Sequence, residues 1–402
     1  MENNKLTLLD LSQIISGPVC SMILADLGLN VIKIEPPIGD AARIMGDTFL
    51  NGQSDYILSL NRNKRSIVID LKNPSGRELF YGLARKSDII LENFRPGTVK
   101  SLGIDYETVA NIKPDIIYCS ISGFGQSGPY KDRPAMDTII QAMGGIMGIT
   151  GDPRTGPQKV GSPIADFITS LIATIGILWA VHIKTKTGLG QKVEISMLNS
   201  ILFSIIPREA YFFMTGKNLP LTGNRHYQIA PSNTYRTRDG GFLMLIAHTQ
   251  KHWENLCKCI KRTDLLDDAR FKTNSDRLKN CHELDGLLNE TFSEKNQTEW
   301  VEFLSSKGVM VAPIYTFEQL FQDPQVLHYK MIHDLIHPVA GKIRVLKTPI
   351  EFSKTGVEFR TPPPLLGEHT REILLELGYG EEEIDLLLKK GAVSQGKRAN
   401  AF

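Results

Sequence analysis

The sequence predicts an α/β protein: a large domain built on a parallel sheet, plus a smaller α+β domain. Three observations point there. Over the first ~200 residues, apolar runs of strand length alternate with helical patterns, as right-handed βαβ crossovers and a parallel sheet require. Beyond about residue 215 the pattern changes to a hairpin signal followed by several helices. The composition, 402 residues with 42% hydrophobic and 22% charged, suits a globular chain long enough for two or three domains.

The elements follow in order. Leu6–Leu11 is an apolar strand, and Gly17-Pro18 opens a helix that Gly28 closes. Val31–Glu35 is a strand stopped by Pro36-Pro37, and Ser66–Asp70 is a third. Asn73-Pro74 starts a helix to about Lys86, followed by strands Asp88–Glu92 and Asp115–Ser122. A helix over Phe167–Val181, a strand over Gln191–Ser196 and a helix over 197–214 come next. The Gly-, Pro-, Asn- and Ser-rich stretch 215–233 reads as a linker. Thr234–Arg238 and Phe242–Ala247 flank Asp239-Gly-Gly241 as a hairpin, and helices cover 251–260, 283–293 and 298–307 before a strand at Val309–Tyr315. Strands near 343–352 precede two short helices around Gly378-Tyr-Gly380, and the tail from Ala392 is expected to fray.

A net charge of +2 gives no global field for nucleic acid or a membrane surface. Five scattered cysteines and a start, Met1–Lys5, without a signal-peptide pattern lead us to expect reduced thiols and a cytoplasmic protein. The longest apolar stretch, 167–181, is shorter than a membrane span and reads as a core helix.

Asp166 is the first candidate for chemistry. It closes Val160-Gly-Ser-Pro-Ile-Ala-Asp166 immediately before that apolar helix. There it meets free N–H groups and the positive end of the helix dipole. Such a setting would keep the carboxylate ionised, supply donors to a developing oxyanion and suit a nucleophile. An N-cap with no chemical role fits the same position.

Other motifs are excluded. Gly123-Phe-Gly-Gln-Ser-Gly128 fits a dinucleotide fingerprint, but Pro129 and Pro134 make a loop where a helix should open, so nicotinamide binding is rejected. His248 with His252, His333 with His337, and Cys257 with Cys259 lack the further ligands of a metal site, and none is assigned. Lys72, Asn93, Arg95 and Arg133 each follow the carboxyl end of a strand, where ligands of open α/β sheets gather. Cations and amides there suit a phosphorylated ligand; a solvated basic loop is the alternative for each.

An ordered set of segments resembles the family III CoA-transferases, the group of formyl-CoA transferase and carnitine CoA-transferase. The set is Gly17-Pro18, Val31-Ile-Lys-Ile-Glu-Pro36, Asn63-Lys-Arg-Ser66, Glu92-Asn-Phe-Arg-Pro-Gly97, Ser122 to Pro129, Gly161 to Asp166, Gly188-Leu-Gly-Gln-Lys-Val193 and Leu366-Gly-Glu-His-Thr370. The resemblance implies a Rossmann-like large domain over 1–205, a linker over 206–232, a small domain over 233–325 and a return segment over 326–402 that completes the large domain. It also implies an interlocked homodimer. Asp166 falls on the family's nucleophile, which would form aspartyl anhydride and aspartyl-CoA thioester intermediates. Ile15, Ser16, Lys72, Asn93, Phe94, Arg95 and Arg133 match stretches that touch CoA. Lys100 is a candidate substitute for an arginine that many relatives carry where this chain has Ser101. No cofactor beyond CoA as substrate is implied.

The same fold hosts α-methylacyl-CoA racemases, whose histidine would precede Asp137. Met136 stands there and cannot take a proton, so transfer is preferred, and Asp137 is expected to orient its loop. The glycine run of formyl-CoA transferases is missing from Thr222–Pro231, where Arg225 and His226 are candidates to face an acceptor. A CoA-binding protein without turnover is the remaining alternative.

Overall fold

The computed structural model describes residues 6–396, which divide into two compact units. One unit comprises residues up to Gly145, Gly161–Ile206 and the segment from Gln325 onward; the other comprises Ile146–Val160 and Pro207–Pro324.

The first unit is built on a seven-stranded sheet. Its order is Gln191–Ser196, Ile117–Ser122, Ile89–Glu92, Thr7–Asp10, Asn30–Glu35, Lys64–Ile69 and Val393–Ser394. Every pairing is parallel except that of Val393–Ser394 with Lys64–Ile69. The tail expected to fray from Ala392 therefore closes the sheet edge, with Val393 opposite Ile69, and only its last residues lie outside the described range. Strand order reverses between Thr7–Asp10 and Ile89–Glu92, because the chain builds outward from the first strand in one direction and then in the other. That reversal is the topological switch point, outside which ligands bind.

Alternation along the strands divides the sheet faces. Leu9, Leu11, Ile32, Ile34, Ile67 and Ile69 join Leu79, Phe80, Leu83, Ile373 and Ile384 in one apolar core. The opposite face carries Asp10, Lys33, Glu35, Lys64 and Ser66, all with at most 1% exposure. Strands that read as simply apolar thus bury an ion cluster. Asp10 accepts from Lys64 at 3.1 Å, Lys33 pairs with Asp40 at 2.8 Å, and Arg43 holds Glu35.

The helix expected at 167–181 runs over Ile164–Thr187 and packs on the helix Ser16–Asp26. At 24 residues it is long and apolar enough to cross a membrane, which corrects its expected length. Gly188, at φ +73°, ends it in the left-handed conformation open to glycine. The helix expected over 197–214 is two helices, Met197–Ser204 and Arg208–Thr215. Pro207 separates them, since proline lacks the N–H a continuing helix needs. The expected linker thus begins with a helix. The Leu366–Thr370 motif clamps the sheet: Gly367 N–H donates to Ser66 Oγ at 2.9 Å, and Ser66 N–H donates to His369 Nδ1 at 3.2 Å.

In the second unit, Ser232–Arg236, Phe242–Ile246 and Met310–Pro313 form an antiparallel sheet. Helices Gln250–Cys259, Cys281–Phe292 and Gln297–Ser306 cover it around Trp253, Leu256, Leu288, Phe292 and Trp300.

Candidate active site

The loop after the first strand, Leu11 to Ile15, lies at the switch point and is held from every side. Asp10 accepts from Ser12 N–H at 3.0 Å and from its hydroxyl. Lys33 Nζ donates to Ser12 O at 2.8 Å. The Asn93 amide brackets Gln13, accepting from its N–H and donating to its carbonyl, both at 2.8 Å. Asp40 accepts from Ile14 N–H at 3.1 Å. The chain then enters the helix Ser16–Asp26 at Gly17, where a Cβ would sit 2.1 Å from Ser12 Cβ. Only glycine lets the loop double back so tightly.

Asp166 lies beside this loop. Its helix is tied to it through Ser170, whose hydroxyl donates to Ser16 O at 2.6 Å. Asp166 is the third residue of the helix Ile164–Thr187, and Pro163 takes the N-cap position. The N-cap reading is therefore excluded. Asp137 does the capping instead: its carboxylate accepts from Ala165 N–H at 2.8 Å and Asp166 N–H at 3.3 Å, and is steadied by Gln141 at 2.6 Å. Ile164 and Phe167 N–H donate to Ser162 O and Pro163 O. Thus the first turn keeps no donor for an oxyanion, contrary to the expectation. The surroundings also disfavour the expected ionised state. Burial, reinforced by the neighbouring Asp137 charge, pushes the Asp166 carboxyl up to about 7, while the nearby Ser16 hydroxyl pulls it down.

Free donors lie at the start of the helix to which that of Asp166 is tied. Among the described residues, the N–H groups of Ile15, Ser16 and Gly17 have no acceptor. They are the unpaired donors of a helix start. Ser16 Oγ accepts from Asn93 Nδ2 at 3.3 Å, so Ile15, Ser16, Asn93 and Asp166 come together.

The other candidates lie in segments that follow the strands. Phe94 packs against the apolar core, and its N–H donates to Glu92 at 2.8 Å. Arg95, Lys72 and Lys100 are exposed and make no side-chain ion pair among the described residues, which leaves their charges available. Lys72 follows a strand two places from the first, roughly 10 Å away at normal strand spacing. Arg133 is exposed and lies 3.7 Å over the Tyr130 ring. Asp137–Met143 is the first helix after the glycine loop, beyond both prolines, so the rejection of a dinucleotide fingerprint stands.

In the second unit, Arg225 and His226 line a cavity of about 490 Å³ with Tyr227, His282 and Asp285. The Arg225 charge is committed there, to Asp285 at 2.5 Å, with His282 at 3.2 Å.

Sequence reading missed the Gln13–Asn93 pairing and the Lys33–Asp40 brace. Charged residues inside apolar strands, Lys33 and Glu35, were the available signal.

Comparison with known proteins identifies the family. The family model CoA-transferase family III matches residues 4–370. The human succinyl-CoA:glutarate CoA-transferase is 36% identical over 390 residues, covering 96% of this chain and 89% of the relative. The succinyl-CoA–D-citramalate CoA-transferase of Chloroflexus aurantiacus is 34% identical, covering 96% of each. A crystal structure of a CAIB/BAIF family protein from Brucella suis superposes with a TM-score of 0.86 at 35% identity, covering 92% of this chain and 98% of that one. The chain belongs to CoA-transferase family III and is a CoA-transferase.

Proposed function

We propose that Asp166 is the nucleophile of a CoA transfer from an acyl-CoA donor to a small dicarboxylic acid. The observation that carries this is the partly buried Asp166 carboxyl beside the Ser16 hydroxyl, in the helix start whose first N–H groups are unpaired at the switch point. The Asp166 carboxylate attacks the thioester carbonyl, and the CoA thiolate leaves, forming a mixed anhydride. The thiolate then attacks the aspartyl carbonyl, releasing the donor acid and giving an aspartyl-CoA thioester. The acceptor carboxylate attacks that thioester, expels CoA thiolate and forms a second anhydride. Return of the thiolate to the acceptor carbonyl yields the new acyl-CoA and frees Asp166. Splitting the exchange keeps each barrier low. The Ile15, Ser16 and Gly17 amides suit the oxyanion of each tetrahedral intermediate. The scheme needs no group beyond CoA, itself a substrate.

Lys72 and Arg95 just past strand ends, Lys100 on the helix Thr98–Leu102 and Arg133 in the loop before Asp137 are exposed cations that suit the CoA phosphates, with Ile15, Ser16, Asn93 and Phe94 along the pantetheine arm. Succinyl-CoA is the proposed donor, because two relatives are named for it and for dicarboxylate acceptors. We further propose a cytoplasmic homodimer with interlocked subunits. Supporting the association, Phe167, Leu171, Ile175, Leu178 and Trp179 form one exposed stripe at helical spacing, 39–63% accessible.

The test is incubation with succinyl-CoA and hydroxylamine, followed by mass spectrometry. The expected product is a hydroxamate on Asp166, and Asp166→Ala is expected to lose transfer while still binding CoA. Full transfer by Asp166→Ala would overturn the reading.

A further inference from the structure

Ile14 has φ +69°, a left-handed conformation that a β-branched residue adopts only when its surroundings impose it. It immediately precedes the three unpaired amides of Ile15, Ser16 and Gly17. The imposing group is identifiable. Asp40 Oδ1 accepts from Ile14 N–H at 3.1 Å and also from Ala42 N–H at 2.9 Å, which fixes the carboxylate plane. Asp40 Oδ2 pairs with Lys33 Nζ at 2.8 Å, and the same ammonium donates to Ser12 O at 2.8 Å. Lys33 and Asp40 are each about 1% exposed. Behind them, Glu35 accepts from Asp40 N–H at 3.0 Å while Arg43 binds Glu35 through two nitrogens at 2.6 and 2.7 Å. The brace thus grips the loop at Ser12 and Ile14, on both sides of Gln13, and leaves the next three N–H groups unpaired.

We propose that Asp40, held by Lys33, is a positioning residue for transfer: it pins the Ile14 amide so that the Ile15–Gly17 donors meet the oxyanion. The inference rests on the proposed role of those donors and of Asp166. Unpaired amides come with any helix start, but the fold does not need an isoleucine at positive φ immediately before them; a preorganised oxyanion site needs its donors fixed before reaction. A small misplacement of such donors lowers turnover more than ground-state binding.

The test is a double-mutant cycle on kcat and KM with Asp40→Asn and Ile14→Gly. Asp40→Asn is near isosteric but sets a carboxamide N–H against the Lys33 ammonium, which breaks the brace, and is expected to lower kcat at least about tenfold, with the KM for acyl-CoA moving less than about threefold. Ile14→Gly removes the steric penalty of the left-handed conformation. In that background the loss caused by Asp40→Asn is expected to shrink at least about threefold. An undiminished loss in the glycine background, or an unchanged kcat, would overturn the proposal. A thermal melt of each variant accompanies the kinetics. If Asp40→Asn does not fold, Lys33→Met in both backgrounds replaces it under the same criteria. Retained transfer by Asp166→Ala would instead sink the nucleophile reading, so the two failures are distinguishable.

Discussion

Replacing Asp137 with asparagine removes one negative charge while preserving the cap. The new amide oxygen still accepts from Ala165 N–H, and asparagine and aspartate cap helices about equally well. Gln141 can turn its own carbonyl oxygen toward the new amide. The Asp166 carboxyl stands at about 7 against an ordinary 3.8. That difference is about 3 units, or about 4 kcal/mol at 1.36 kcal/mol per unit. Burial is the larger cause and the Asp137 charge the smaller. Asp137 is thus the smaller of the two raising causes, and we expect Asp137→Asn to lower the Asp166 value by about 1 unit. The nucleophile must be ionised, so activity is lost as pH falls through its pKa. The assay is kcat/KM for succinyl-CoA between about pH 5 and pH 9, which reports groups of the free enzyme. The acid limb is expected to move from near 7 to near 6, with more activity retained at low pH. A limb that stays in place or moves up would refute the electrostatic coupling.

Two further outcomes are expected. Burial pushes the Glu92 carboxyl, set between Phe94 N–H and the Ser120 hydroxyl, up to about 7. Its folded value lies above its unfolded one, so the fold holds this proton more tightly. Its contribution to stability is then highest below about pH 4.5, falls as pH rises to about 7 and stays low above it. Glu92→Gln should stabilise by about 1–3 kcal/mol at pH 8 and by less at pH 5, read by urea unfolding; a gain confined to low pH contradicts this. Charging the exposed stripe with Ile175→Glu and Trp179→Glu should convert a dimer to monomers by light scattering, whereas a wild-type monomer, or a variant of unchanged mass, counts against the interface.

Much of the first unit was legible in the sequence because its signals are local. Pro and Gly at helix ends, apolar runs of strand length and the order of family-like segments need no knowledge of what lies across the sheet. Asp166 was legible for the same reason. Its environment was not. The sequence placed it at a helix start and implied an ionised carboxylate, but Asp137, 29 residues earlier, occupies the N–H groups that would have stabilised that charge. The ends of apparent elements failed where a distant partner decides them: Val393 becomes a strand because Ile69 offers an edge.

The sequence alone determined the alternation of strands and helices, the family and the position of Asp166 at the start of an apolar helix, since each resides in neighbouring residues or their order. Tertiary structure decided which helix start keeps its donors free, how far burial raises the Asp166 carboxyl and why Lys33 and Asp40 lie inside. Those properties depend on burial and on charges brought within a few ångströms by the closed sheet, and desolvation and Coulomb interaction act through space, not along the chain.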